Sequence, residues 1–178
     1  MDDLKLFCVQ DAWAAMLTRE NIEELQRLCV SCIDYYQLHG EIDVPMNAAE
    51  ELFDDLPQGK TNEDKMIIGL FKREGEIIGI IEALRGYPDK DCWFIGQMML
   101  NPAYRENGMG RNFYLGYERW VCNQGISKIR LGVLQENKRA YRFWRELGFE
   151  KIYTKENYKI KEKETTVYVM EKNSCGKF

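Results

Sequence analysis

The sequence lacks three features that would place it in other classes of protein. It has no apolar stretch near the roughly 20 residues that a membrane-spanning helix needs, so we expect no membrane partner. Its 25 Lys and Arg residues are outnumbered by 29 Asp and Glu, and no basic stripe with interleaved aromatic residues predicts a nucleic-acid partner. Two acidic residues follow Met1, which is not typical of an export signal.

The six cysteines form no pattern typical of a zinc site or of a disulfide framework. Cys29 and Cys32 make one C-x-x-C, but no second pair and no H-x-x-x-H follows. On a helix this spacing places two small apolar side chains on one face. We therefore expect reduced thiols, a cytoplasmic location and no metal site.

Length and composition indicate one globular domain. Hydrophobic residues make up 45% of the 178 residues and charged residues 30%. No repeat, low-complexity segment or Pro/Gly/Ser linker divides the chain. We therefore treat residues 1–178 as a single domain.

Hydrophobic periodicity predicts two helices and four strands in the first part of the chain. The predicted strands are Leu4–Val9, Lys65–Lys72, Glu76–Leu84 and Cys92–Leu100. One helix begins at Thr18 and runs through Cys32, and a shorter one covers Asn47–Leu56. A hairpin turn at Arg73-Glu74-Gly75 makes the last three strands an antiparallel meander. The apolar Cys92–Leu100 is predicted to be central and buried on both faces.

Helices and strands alternate in the second part. The predicted elements are a helix over Gly110–Asn123, a strand over Lys128–Leu134, a helix over Glu136–Leu147 and strands over Phe149–Tyr153 and Thr165–Glu171. Strand, helix and strand between Cys92 and Leu134 form a right-handed crossover, so those two strands should be parallel neighbours. The predicted fold class is α/β, with a mixed and mostly antiparallel central sheet.

The loop between the buried strand and the next helix predicts an anion site. Gly108 and Gly110 allow close approach to the main chain, and the helix that follows offers unpaired N–H groups at the positive end of its dipole. Such a site suits a pyrophosphate, with Arg105 and Arg111 adding charge at its rim. The absence of Gly-Lys-Ser/Thr excludes a Walker loop, and the bulky Phe113 replaces the third glycine of a dinucleotide fingerprint.

Here the sequence resembles the GNAT superfamily of N-acetyltransferases. Its central motif, Q/R-x-x-G-x-G/A, is similar to the segment from Arg105 to Gly110. A second motif of Asn, a small residue, an aromatic pair and Gly-Phe is matched by Asn137, Ala140, Phe143-Trp144 and Gly148-Phe149. The resemblance covers Cys92 to Tyr153 in motifs and the earlier part only in the order of elements.

The resemblance implies acetyl-CoA as cofactor, bound where the two parallel strands splay apart. Main chain at the end of the third meander strand would hold the pantetheine arm and stabilise charge on the thioester oxygen, although plain core packing also explains the two methionines. Asn137 would bind the arm or act only as a helix N-cap. The implied cofactor residues are Met98, Met99, Leu100, Arg105, Glu106, Asn107, Gly108, Met109, Gly110, Arg111, Asn137, Ala140, Phe143 and Trp144.

The catalytic residues of better-defined branches of the family do not carry over. Trp144 stands where those branches have a tyrosine acid, and Gly132 where some have a glutamate base. Tyr141 is a candidate acid and Glu82 a candidate base acting through water. Both residues also fit a purely structural role: Tyr141 as an ordinary surface or core tyrosine, and Glu82 as a solvent-facing glutamate on a half-buried strand.

The implied activity is transfer of an acetyl group to a primary amine of a small molecule or peptide. Five acids near the first helices hint at a cationic acceptor: Asp34, Glu41, Asp43, Glu50 and Glu51. A longer acyl group is also compatible with the sequence. The missing acid and base favour a second hypothesis, a non-catalytic acyl-CoA-binding regulatory module. A homodimer is compatible with either.

Overall fold

A computed structural model describes residues 5–72 and 75–173 of the chain, and the predicted positions Leu4, Arg73, Glu74 and Cys175 lie outside these ranges. One sheet runs through the described residues. Its strands are β1 (Lys5–Val9), β2 (Ala12–Met16), β3 (Lys65–Phe71), β4 (Ile77–Leu84), β5 (Cys92–Leu100), β6 (Lys128–Leu134), β7 (Glu150–Ile160) and β8 (Lys163–Asn173). The α-helices are α1 (Ile22–Ser31), α2 (Ile33–Leu38), α3 (Ala48–Asp54), α4 (Met109–Asn123) and α5 (Lys138–Glu146).

The strand order confirms the predicted fold class. The strands lie in the order β1-β2-β3-β4-β5-β6-β8-β7. β3, β4 and β5 form the predicted antiparallel meander, and β5 and β6 are the parallel pair. β2, which the sequence did not predict, lies between β1 and β3 and extends the sheet.

Helices cover both faces of the sheet because the strands at its centre are apolar on both. Along β4, Ile81 belongs to the core cluster that includes Phe113 of α4 and Trp144 of α5. Its neighbour Ile80 belongs to the other cluster, with Leu28 of α1 and residues of α3. Successive strand residues point to opposite faces, so α4 and α5 lie on one face and α1 and α3 on the other.

β4, rather than β5, is the strand buried along its whole length. In β5, Gly96 is exposed and its neighbours Gln97 and Met98 are half-buried, which corrects the prediction that this strand is buried on both faces. The register with β4 shifts at Gly96, since Glu82 pairs with Gln97 and Ala83 with Ile95. Gly96 is therefore the extra residue of a β-bulge.

The exposed stretch of β5 lies where the parallel pair opens. β5 and β6 pair from Cys92 opposite Lys128 to Ile95 opposite Leu131, and pairing ends there. Beyond that point β5 continues to pair with β4, and β6 with β8. The C-terminal halves of β5 and β6 thus diverge, as the family resemblance implied, and leave one side of the β5 backbone without a strand.

α1 ends at Ser31, next to the predicted end at Cys32, and α2 follows as a separate helix that crosses this opening. Cys32 leaves the helical conformation, with φ −101° and ψ 34°, and separates α1 from α2. At one end of α2, Asp34 binds Arg105, just after β5. At the other end, Leu38 packs against Leu134 of β6 and Val167 of β8.

Candidate functional site

The loop between β5 and α4 holds an unusual backbone conformation. Glu106 and Gly108 both have positive φ, 69° and 79°. The side-chain oxygen of Asn107 accepts a hydrogen bond of 3.1 Å from the N–H of Met109. The Asn101 side chain caps the one-turn 3₁₀ helix before the loop by accepting from Ala103 N–H at 3.0 Å. Side chains of the loop therefore fix its main chain in place.

Several N–H groups of this loop have no acceptor. Among the residues that the structure describes, no bond is made by the main-chain N–H of Glu106, Asn107, Gly108, Gly110 or Arg111. The last two belong to the first turn of α4, where the helix dipole is positive. A row of free donors at a helix N-terminus is the arrangement that binds phosphate groups.

The Arg105 guanidinium at the edge of this row is already bonded within the protein, and its contact with a cofactor stays a prediction. Its Nε donates to the Leu100 carbonyl oxygen at 2.7 Å, and its Nη2 to Asp34 Oδ1 at 3.0 Å. The hydrogen bond from Arg105 holds the pKa of Asp34 below its ordinary value. Arg105 therefore fastens α2 to the end of β5, while the exposed Arg111 stays available at the rim.

The loop, β5 and α5 meet around Gly110. A Cβ on Gly110 would lie 3.7 Å from a methyl group of Leu100 and 3.8 Å from the ring of Phe143. An exposed ion pair of 3.6 Å between Glu106 and Arg139 also joins the loop to α5. The predicted cofactor residues of these three segments therefore line one continuous region.

Asn137 is the N-cap of α5. Its side-chain oxygen accepts from the Ala140 N–H at 3.0 Å. The N-cap is one of the two roles that the sequence allowed for Asn137, and contact with a ligand is the other. The side-chain amide nitrogen has no hydrogen bond within the described part of the chain, so the two roles are compatible.

Trp144 is a core residue, and its place along a bound pantetheine arm stays a prediction. Its side chain is only 6% exposed. The ring lies 5.3 Å from that of Tyr114 and 5.2 Å from that of Phe149, both in edge-to-face geometry. Its neighbour Phe143 is half-buried and therefore more accessible than Trp144.

Glu82 is buried beside the bulge of β5, contrary to the predicted alternative of a solvent-facing side chain. It is 8% exposed, and burial raises its pKa while Lys65 lowers it. Lys65 Nζ lies 3.5 Å from Glu82 Oε1. The other oxygen, Oε2, lies against Gly96, where a Cβ would collide with it. The carboxylate therefore borders the opening between β5 and β6.

Tyr141, the candidate acid, lies apart from Glu82. Its ring packs edge-to-face on Tyr168 of β8 at 5.5 Å, and the residue adjoins the core cluster on the α4 and α5 face. Ile67, which lies directly opposite Glu82 in the pairing of β3 with β4, belongs to the opposite cluster. The two predicted catalytic residues are thus on different faces of the sheet.

Sequence reasoning missed the polar residues that surround Glu82. Tyr35 of α2 lies near the carboxylate, and burial raises the pKa of its phenol. The amide nitrogen of Gln97 is buried and has no partner among the described residues. Neither residue belongs to a recognisable motif. In the sequence, Tyr35 is marked only by its place just after the C-x-x-C segment, and Gln97 only by being a polar residue within β5.

The acids near the first helices are less free than the sequence suggested. Asp34 binds Arg105, and Glu41 forms an ion pair with Lys161 in the β7–β8 turn. His39 Nδ1 lies 2.8 Å from the Tyr35 carbonyl oxygen, and burial lowers the His39 pKa. This geometry weakens the indication of a cationic acceptor.

The sequence matches the model of the acetyltransferase (GNAT) family over residues 29–149. This match covers more than half of the chain, and the protein belongs to that family. No curated protein matches the sequence at a significant level. No helix in the described ranges is both long and apolar enough to cross a membrane.

Solved structures with the same fold include several acetyltransferases of low sequence identity. Spermidine N-acetyltransferase from Vibrio cholerae, in complex with CoA and spermine, is 17% identical, with a TM-score of 0.72 over 93% of this chain and 96% of that one. Ribosomal-protein-S18-alanine N-acetyltransferase from Escherichia coli is 12% identical, with a TM-score of 0.69 over 94% and 96%. An acetyltransferase from Thermus thermophilus is 21% identical, with a TM-score of 0.68 over 92% and 98%.

Proposed function

We propose that this protein transfers the acetyl group of acetyl-CoA to a primary amine of a small molecule or peptide, by direct attack in a ternary complex. The observation that carries this proposal is the row of free N–H groups from Glu106 to Arg111 beside the opening between β5 and β6. Family membership supports the same reaction class. Acetyl-CoA supplies an activated thioester when it is bound.

The residues of the loop and the opening fit acetyl-CoA. The free donors of Glu106, Asn107, Gly108, Gly110 and Arg111 suit its pyrophosphate. The β5 backbone over residues 98–100 has no strand on its β6 side and can bond the amides of the pantetheine arm. One N–H there would stabilise negative charge on the thioester oxygen. Phe143 and Ala140 would border the arm.

Glu82 is the better supported of the two candidate catalytic residues. A general base must hold a proton affinity near the working pH, and burial moves the Glu82 pKa in that direction. Its Oε2 lies against Gly96 at the opening, where an attacking amine or its relay water would be. The position of Tyr141 beside Tyr168 gives it no comparable support as an acid.

The decisive experiment measures binding and turnover separately. Calorimetry should show that the protein binds acetyl-CoA, and release of free thiol should depend on an added amine drawn from a broad panel of primary amines. Glu82→Gln should lower kcat about a hundredfold or more without weakening acetyl-CoA binding. Binding without turnover for every amine would instead support the acyl-CoA-binding regulatory module, which the buried Trp144 in the acid position favours.

A further inference from the structure

Lys65 is unusual for a lysine, because its side chain is almost completely buried. Its side chain is 6% exposed, and that of Glu82 is 11% exposed. Lysine is seldom buried unless it is paired. The Lys65 ammonium also donates a hydrogen bond to the main-chain carbonyl oxygen of Asp55, which follows α3. The ammonium is thus fixed by a second element in addition to its own strand.

The two oxygens of Glu82 have different surroundings. Oε1 lies 3.5 Å from the Lys65 ammonium. Oε2 lies against Gly96, which is exposed at the opening and has no side chain to cover the carboxylate. One oxygen is therefore next to a positive charge, and the other is directed toward the proposed site of reaction.

We infer that Lys65 is a positioning residue that keeps Glu82 ionised and directs its free oxygen through the gap above Gly96. This inference rests on the proposed acetyl transfer. Without the ammonium, a carboxylate buried to this degree would take up a proton and could no longer accept one from an amine. Lys65 would then act on the reaction only through Glu82.

The other groups around Glu82 do not supply the same charge. The Asp55 carboxylate opposes ionisation of Glu82. Tyr35 of α2 and Tyr117 of α4 are neutral phenols whose pKa values burial raises. Lys65 is therefore the group facing Glu82 that favours its charged form within the described residues.

The test compares Lys65→Met with the wild-type protein over a range of pH. The activity of each is measured with acetyl-CoA and the best amine of the panel, and the ratio of variant to wild-type kcat/KM is taken at each pH. Titration of the amine affects both proteins equally and cancels in this ratio. We expect a loss of about tenfold or more at pH 7 that diminishes as the pH rises, because the base regains its charge at higher pH.

Two further variants distinguish loss of the Lys65 charge from a defect in folding. Lys65→Gln removes the charge but keeps a donor for the Asp55 carbonyl oxygen, and it should behave like Lys65→Met. Lys60→Gln is the matched control, because Lys60 likewise donates to a main-chain carbonyl, that of Arg85 at 2.8 Å, and lies 3.7 Å from Asp64. It should leave the pH profile unchanged.

A double-mutant cycle separates action through Glu82 from a general effect. In a Glu82→Gln background, Lys65→Met should cause little further loss of kcat/KM. A ratio that does not vary with pH, or additive losses in the cycle, would overturn the role of Lys65 and leave acetyl transfer intact. A wild-type protein that turns over no amine would overturn the proposed function, and the role of Lys65 with it.

Discussion

Replacing Gly108 by glutamate should remove acetyl-CoA binding while the fold persists, and Gly125 offers a matched control. Both glycines have φ 79°, and they flank the two ends of α4. A Cβ on Gly108 would meet nothing closer than the Asn112 amide at 4.0 Å, and a Cβ on Gly125 would meet nothing within 4 Å. Both sites therefore have room for a side chain, and the cost of holding a non-glycine residue at this φ should be the same at each.

The two substitutions should carry a similar backbone cost and have very different effects on binding. A side chain at this φ costs about 1–2 kcal/mol, which lowers Tm by roughly 2–4 °C for each kcal/mol in a chain of this size. At Gly108 the added carboxylate faces the proposed diphosphate. At a separation of about 5 Å and an effective dielectric of about 20, each pair of like charges costs about 3 kcal/mol. Binding should weaken by roughly a hundredfold or more.

Calorimetric titration with acetyl-CoA, with thermal unfolding of the same samples, distinguishes the two effects. The helix dipole favours glutamate at the Gly108 end of α4 and disfavours it at the Gly125 end, so Gly125→Glu should be the less stable variant. Its acetyl-CoA affinity should nevertheless match that of the wild-type protein. Equal affinities for the two variants would refute the assignment of the loop as the diphosphate site.

Contacts of α5 and of Glu136, which precedes it, lead to three further predictions. Asn137→Ala should lower the free energy of unfolding by about 1 kcal/mol through loss of the N-cap and also weaken acetyl-CoA binding modestly; unchanged affinity would leave Asn137 as a cap alone. Trp144→Ala should destabilise the protein by roughly 3–5 kcal/mol in chemical denaturation, whereas Phe143→Ala should cost less stability and more acetyl-CoA affinity. A hydrogen bond from Lys163 lowers the Glu136 pKa from 4.5 to about 2, so this carboxylate adds stability above about pH 4.5 that is lost as the pH falls toward 2. Glu136→Gln should flatten the dependence of the urea midpoint on pH in that window, by a small amount because the pair is partly exposed.

The sequence predicted the strands whose residues are β-branched and apolar, and it missed or shortened the others. β2 contains three alanines in Ala12–Met16, and alanine has no preference for strands, so only pairing with β1 and β3 makes this segment a strand. β7 extends to Ile160, beyond the predicted Tyr153, and nearly all of it is exposed. A strand without a buried face has no alternating pattern to detect.

The loop proposed to bind the cofactor is easier to recognise in the sequence than the surroundings of Glu82, because the two are built differently. The loop from Arg105 to Arg111 is contiguous, so its glycines and the following helix can be recognised together in the sequence. The environment of Glu82 depends on Lys65 from another strand and on the gap at Gly96, which is a bulge. The bond between Arg105 and Asp34 likewise joins segments that are distant in the chain. No local pattern marks such pairs.

The divergence of β5 and β6 has a consequence for how this protein can change over evolutionary time. An attachment surface composed of peptide groups imposes few demands on side-chain identity, since almost any residue supplies the same N–H and C=O. Mutations can therefore accumulate along these strands as long as the backbone path survives. Structures that share 12–21% of their residues with this chain and still superimpose on it over more than nine-tenths of its length fit that expectation. In the proposed reaction, selection for a new amine would then act on side chains outside these strands, independently of the backbone that would bind acetyl-CoA.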